Sequence, residues 1–142
     1  MSTVQEDYTK PLNEVYESLP ESTRATLNED IRKIWQYFIA WIIYTLFSFL
    51  LVYLIVSYAP IHEEIGEKLQ RAGSIIPILA ILGESLFIVK FHKLSSVTHW
   101  AKLTCEIYKE RRFKPLIYIS LSITFLIVVS GEILSGYGDL FF

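Results

Sequence analysis

The feature that most constrains this chain is a run of 25 residues, from Ile34 to Tyr58, without a charged side chain. A helix of this length rises about 37 Å, which exceeds the roughly 30 Å thickness of a bilayer's hydrocarbon core. Trp35 and Tyr58 lie near the two ends of the run, where aromatic side chains anchor helices at the membrane interface. The run is too long, and starts too late, for a signal peptide. It predicts a transmembrane helix.

Two further apolar stretches are each interrupted by a single acid, Glu84 in the first and Glu132 in the second. The composition agrees with a membrane protein: 52% of the 142 residues are hydrophobic and 20% are charged, against about 25% charged residues in soluble domains. Pro77 predicts a kink near the outer end of the second helix. A re-entrant or interfacial segment is the alternative for that stretch. We predict an all-α integral membrane protein with three transmembrane helices, at about 34–58, 72–91 and 115–137.

The distribution of lysine and arginine predicts the orientation of these helices. Residues 90–114 contain seven bases and two acids, whereas residues 59–71 contain two bases and three acids. The positive-inside rule therefore places residues 90–114, and with them the N-terminus, in the cytoplasm, and it places the C-terminus outside.

The sequence divides into an N-terminal cytoplasmic segment, 1–33, and a transmembrane domain, 34–142. Apolar residues at helical spacing predict an amphipathic helix in the first segment, with Pro11 in its first turn. Ser22 is a candidate N-cap for a second helix that continues into the membrane. Helical spacing in the basic loop, 92–114, predicts either a cytoplasmic extension of the second helix or a separate helix on the membrane surface.

The bases of the loop form a predicted cytoplasmic basic face. It favours anionic lipid, or it serves only to fix the orientation. The acidic N-terminal segment and this face are complementary, so they can bind a partner protein or each other. The face consists of Lys93, Lys102, Lys109, Arg111, Arg112 and Lys114.

Ionisable residues inside a membrane are costly and usually face protein or water. Glu132 lies near the outer end of the third helix, at the level of Arg71, and we expect the two to pair within or between subunits. The pair is either a gate or polar vestibule, or a packing salt bridge. Glu84 is either a pathway residue, for a cation or a proton, or a polar packing contact with a nearby hydroxyl. Ser74 completes the set of polar candidates.

Small residues predict where the helices approach each other closely, within the chain or between subunits. The first transmembrane helix has few of them and carries nine aromatic residues, so we expect it to face lipid or to form an aromatic packing surface. The predicted packing positions in the other two helices are Gly73, Ala80, Gly83, Gly131 and Ser135.

Residues 136–139, Gly-Tyr-Gly-Asp, match four residues of the potassium-channel filter, but the chain lacks the surrounding filter architecture and a turn at the interface is the better interpretation. No catalytic motif is present, and neither a metal site nor a cofactor is predicted. One cysteine, Cys105, excludes a disulfide framework, and a net charge of −2 argues against a nucleic-acid partner.

Two parts of the sequence resemble a group of small bacterial three-helix membrane proteins without an assigned activity. The first is Arg71-Ala72-Gly73-Ser74 followed by Gly83-Glu84. The second runs from Gly131 to Asp139 and reads G-x-x-x-x-G-Y-G-D. The resemblance covers the second and third helices. It implies that these residues act as a set in a bacterial inner membrane protein, and it supplies no activity.

We therefore expect a non-enzymatic protein that contacts the lipid bilayer and self-assembles as a homo-oligomer. The first hypothesis is a pore-forming or membrane-perturbing effector, either holin-like or acting in phage defence. The second is a non-conducting membrane anchor or adaptor that docks a cytoplasmic protein. An ion or proton transporter is the third.

Overall fold

The computed structural model describes residues 4–58, 62, 64–98 and 103–140, except for the side chain of Asp139. Of the described residues 91% are helical, and none lies in a strand. The helices are α1 (Val4–Thr9), α2 (Leu12–Glu17), α3 (Glu21–Ser57), α4 (Ile65–Gly83), α5 (Val89–Ser95) and α6 (Thr104–Tyr137). A π-helical segment, Glu84–Ile88, joins α4 and α5 into one continuous helix, and a 3₁₀ turn, Gly138–Leu140, follows α6.

Three helices are long and apolar enough to span a membrane, which confirms the predicted number. They comprise 37, 31 and 34 residues, in Glu21–Ser57, Ile65–Ser95 and Thr104–Tyr137. At 1.5 Å per residue each one is longer than a bilayer core, so each extends beyond it at one or both ends. The chain has the architecture of a small multi-pass membrane protein.

The helix ends differ from the predicted ones because an apolar run marks only the lipid-exposed part of a helix. The second spanning helix begins at Ile65, seven residues before Ala72, and ends at Ser95. The third begins at Thr104, inside the predicted loop, and continues through Pro115. Charged residues such as Lys, Arg and Glu are good helix formers and extend both helices.

Ser22 does not have the predicted role of an N-cap. Pro20 precedes the first residue of α3, no side chain caps the helix, and Ser22 therefore lies within its first turn. Pro fits a helix boundary because its fixed φ suits helix entry. The helix α4 continues through Pro77, and its departure from α-helical hydrogen bonding occurs further on, at Glu84–Ile88.

The helix α4 lies between α3 and α6, and the described residues form two buried clusters. Ile34, Phe91 and Phe113 are fully buried where α3, α5 and α6 meet, and the rings of Phe91 and Phe113 are 6.1 Å apart. The second cluster joins α2 to the polar starts of α3 and α6 through Val15, Leu19, Leu27 and Tyr108.

We call α1, α2, residues 21–33 and residues 104–114 together the polar cap.

Beyond the buried cluster around Phe91, α3 exposes most of its apolar side chains, including Ile43, Leu46 and Phe47 at more than 60%. Such a surface suits contact with lipid.

Candidate functional site

The backbones of α4 and α6 are in direct contact at two of the predicted packing glycines. A Cβ atom on Gly73 would lie 2.6 Å from the carbonyl oxygen of Gly131 and would also collide with the backbone nitrogen of Ser135. A Cβ atom on Gly131 would lie 2.7 Å from the ring of Pro77. Only glycine allows two helices to approach this closely. The structure places this contact within one chain.

A hydrogen bond between side chains accompanies the glycine contact. The Oγ atoms of Ser74 and Ser135 are 2.9 Å apart, and Ser74 Oγ also donates to the backbone carbonyl of Gln70 at 3.1 Å. The hydroxyl of Ser74 has one hydrogen, so Ser135 is the donor whenever Ser74 bonds to Gln70. Two predicted site residues therefore form a polar link between α4 and α6.

The other two packing residues of α4 face α3. A Cβ atom on Gly83 would lie 2.6 Å from the ring of Tyr44, and this ring also contacts Phe87 at a centroid distance of 5.6 Å. Ala80 lines an apolar groove with Tyr44 and Val52 of α3 and Ile127 of α6. Small residues on two faces of α4 thus allow α3 and α6 to pack against it.

Glu84 is half-buried and is the first residue of the π-helical segment. The sequence separation is eighteen positions both from Gly73 to Phe91 and from Phe113 to Gly131. The antiparallel register of the two helices therefore places Glu84 level with Ser120. The hydroxyl of Ser120 donates to the carbonyl of Ile117 at 2.8 Å. Among the described residues, the Glu84 carboxyl group makes no hydrogen bond or ion pair, so the predicted hydroxyl contact is not formed within the chain. Single π-helical turns are frequent at functional sites.

The side chains of Arg71 and Glu132 are both exposed, and no ion pair joins them within the chain. Glu132 makes no hydrogen bond or ion pair with any described residue. The alternative of a pair between subunits stays a prediction.

The bases of the predicted basic face have different surroundings. Lys109, with 11% of its side chain exposed, forms an ion pair of 2.8 Å with Asp30 of α3. Arg111 donates hydrogen bonds of 2.7 Å to the backbone carbonyls of Asp7 and Lys10. Arg112 contacts Tyr108 on its own helix. Lys93 and Lys114 are exposed, and Lys102 lies outside the described residues.

Several residues that complete the polar cap were not predicted individually from the sequence. Asp7 is buried at 3% exposure, and its carboxylate accepts a hydrogen bond of 2.8 Å from Thr104 at the start of α6. Tyr8 donates to Glu110 at 3.2 Å. Desolvation of the Tyr8 phenol, followed by the charge of Glu110, raises its pKa. Charge complementarity between the N-terminal segment and the basic loop was the only sequence indication of these contacts.

The described residues contain no group of three His, Cys, Asp or Glu side chains that could hold a metal ion. Comparisons of this chain with protein-family models, with curated proteins and with solved structures found no match. The resemblance to small bacterial membrane proteins therefore stays a prediction, and functional argument rests on the geometry of the helices.

Proposed function

We propose that this protein self-assembles in a membrane, and that the assembly is a pore or perturbs the bilayer. The observation that carries the proposal is the state of the two intramembrane acids. Within one chain, Glu84 and Glu132 have no hydrogen-bonding or ionic partner among the described residues. Such a carboxyl group costs several kcal/mol in lipid unless protein or water meets it. Further copies of the chain provide such surroundings.

A single chain offers little to an ion crossing the bilayer. The surface of α3 is apolar along its membrane part. The hydroxyl groups of Thr45, Ser48 and Ser130 donate to carbonyls of the preceding turn of their own helices. A conducting path therefore requires several copies, with Glu84 or Glu132 facing the path. A transporter would need an oligomer for the same reason.

The adaptor hypothesis depended on complementary charges that dock a cytoplasmic protein. Part of this charge is engaged inside the polar cap, where Lys109 pairs with Asp30 and Arg111 binds the backbone of α1. This engagement favours the self-assembly hypothesis over the adaptor. Lys93 and Lys114 are exposed and suit anionic lipid headgroups.

The test is inducible expression in bacteria with a dye that reports membrane potential. We expect the native chain to depolarise the membrane, and Glu84→Gln to reduce the depolarisation at equal membrane abundance. Glu64→Gln, an exposed position at the start of α4, is the control and should behave as the native chain. If the native chain leaves the potential unchanged, an autonomous pore is wrong.

A further inference from the structure

Gly136 of α6 makes no close packing contact with the described part of its own chain. A Cβ atom there would meet no atom of the described residues within 4 Å, whereas Gly73, Gly83, Gly131 and Gly138 each lie against another part of the chain. Glycine in a helix is about 1 kcal/mol less favourable than alanine. In membranes a glycine on a helix surface permits close approach of a second helix.

Glu132 shares the exposed face of Gly136 because the two are four residues apart on α6. We call these two residues and the surface between them the α6 face. The carboxyl group of Glu132 has no partner among the described residues, so contact with lipid alone would leave this acid unpaired. The occupant of this face is therefore expected to be close-packed and to supply a cation.

The same chain carries an exposed cation at the matching depth. Arg71 lies two residues from Gly73 towards the N-terminal end of α4, and Glu132 lies one residue from Gly131 towards the C-terminal end of α6. Gly73 and Gly131 are in contact, and the helices are antiparallel. Arg71 and Glu132 are thus displaced from the glycine contact in the same direction along the helix axes, by about 3 Å and 1.5 Å. A guanidinium group has five N–H donors and can hold several acceptors at once.

We propose that a second copy of this chain packs on the α6 face and that Arg71 of one copy pairs with Glu132 of the other. Copies inserted in the same orientation bring equal depths together, so one chain supplies both halves of the pair. The proposal rests on the self-assembly proposed above and names the contact that produces it. A reciprocal contact closes a two-fold dimer, and a one-way contact closes a ring.

Cysteine cross-linking in membranes tests the pair. In a Cys105→Ser background, differently tagged Arg71→Cys and Glu132→Cys chains are co-expressed and oxidised. We expect a disulfide-linked species of about 33 kDa, twice the 16.5 kDa chain. Ile78→Cys with Glu132→Cys is the depth control, because Ile78 is exposed but lies about 10 Å further along α4, and it should not cross-link. Chains carrying both cysteines should give dimers for a two-fold contact and longer ladders for a ring.

A second variant tests the α6 face without touching the charges. Gly136→Leu should weaken association about tenfold, which equals about 1.4 kcal/mol, while the helical content is unchanged. Energy transfer between labelled copies in liposomes measures this association. If the native chain associates but neither the cross-link nor the effect of Gly136→Leu is seen, the proposed contact is wrong and self-assembly stands. If the native chain is monomeric, both proposals are wrong.

Discussion

The Oγ atoms of Ser74 and Ser135 lie 2.9 Å apart, one helical position beyond the point where Gly73 of α4 contacts the backbone of α6. Close backbone contact and a hydrogen bond between side chains therefore occur together. In a membrane, where lipid removes the hydrophobic drive between helices, these are the interactions that hold two helices together.

The Ser74–Ser135 hydrogen bond should make a small but measurable contribution to stability. We expect a double-mutant cycle of Ser74→Ala and Ser135→Ala to give a coupling free energy of about 0.6 kcal/mol, typical of hydrogen bonds between membrane helices. Reversible unfolding in mixed micelles measures it. A coupling indistinguishable from zero would mean that the bond adds nothing to the packing of the glycines.

Gly73 and Gly136 provide a matched pair of glycine substitutions. Gly73→Ala should destabilise the chain by about 1–3 kcal/mol, because the new methyl group would collide with the backbone of α6. Gly136→Ala should leave the unfolding free energy of the monomer unchanged or raise it by up to about 1 kcal/mol, since its methyl group meets no atom of the described residues. Thermal unfolding followed by circular dichroism compares them. Equal effects of the two substitutions would contradict the packing described here.

Replacing Asp30 and replacing Lys109 should cost different amounts of unfolding free energy, because the two side chains are buried to different extents. The Lys109 side chain is 11% exposed and that of Asp30 is 27% exposed. Asp30→Asn should cost about 1–3 kcal/mol because it leaves the more buried charge without its counter-ion, and Lys109→Met should cost less. Denaturant unfolding measures both variants.

The exposed Lys33–Glu29 pair is the control for this comparison. Its side chains are 48% and 55% exposed, so Lys33→Met should leave the unfolding free energy the same as that of the native chain within experimental error. A larger loss for Lys109→Met than for Asp30→Asn would show that burial does not control the energetics of the cap.

Arg111 should hold α1 on the start of α6. Its guanidinium group donates to the carbonyls of Asp7 and Lys10, so Arg111→Ala should release the N-terminal helix and speed its proteolysis about tenfold. Arg112→Ala is the matched control because Arg112 bonds to Tyr108 within α6. Limited proteolysis with mass spectrometry of the N-terminal fragments gives the rates. Similar rates for the two variants would show that the buried cluster around Val15 and Tyr108, and not Arg111, anchors the N-terminal helices.

Several features of the fold could be predicted because they depend on local composition. An uncharged run such as 34–58 can satisfy its backbone in lipid only as a helix. Glycines within apolar stretches predicted close helix contacts, and Gly73 and Gly131 make one. The ends of α4 and α6 could not be predicted in the same way, since charged residues continue a helix without adding to its apolar pattern.

The sequence by itself determined the three spanning helices, since the cost of exposing backbone groups to lipid acts on each segment alone. The tertiary structure decided which polar groups meet. Asp7 reaches Thr104 across 97 positions, and Lys109 reaches Asp30 across 79. It also left Arg71 and Glu132 without an ion pair to each other inside one chain. Such relationships depend on helix register and on which face each helix presents, and residues far apart in the sequence fix these together through close packing.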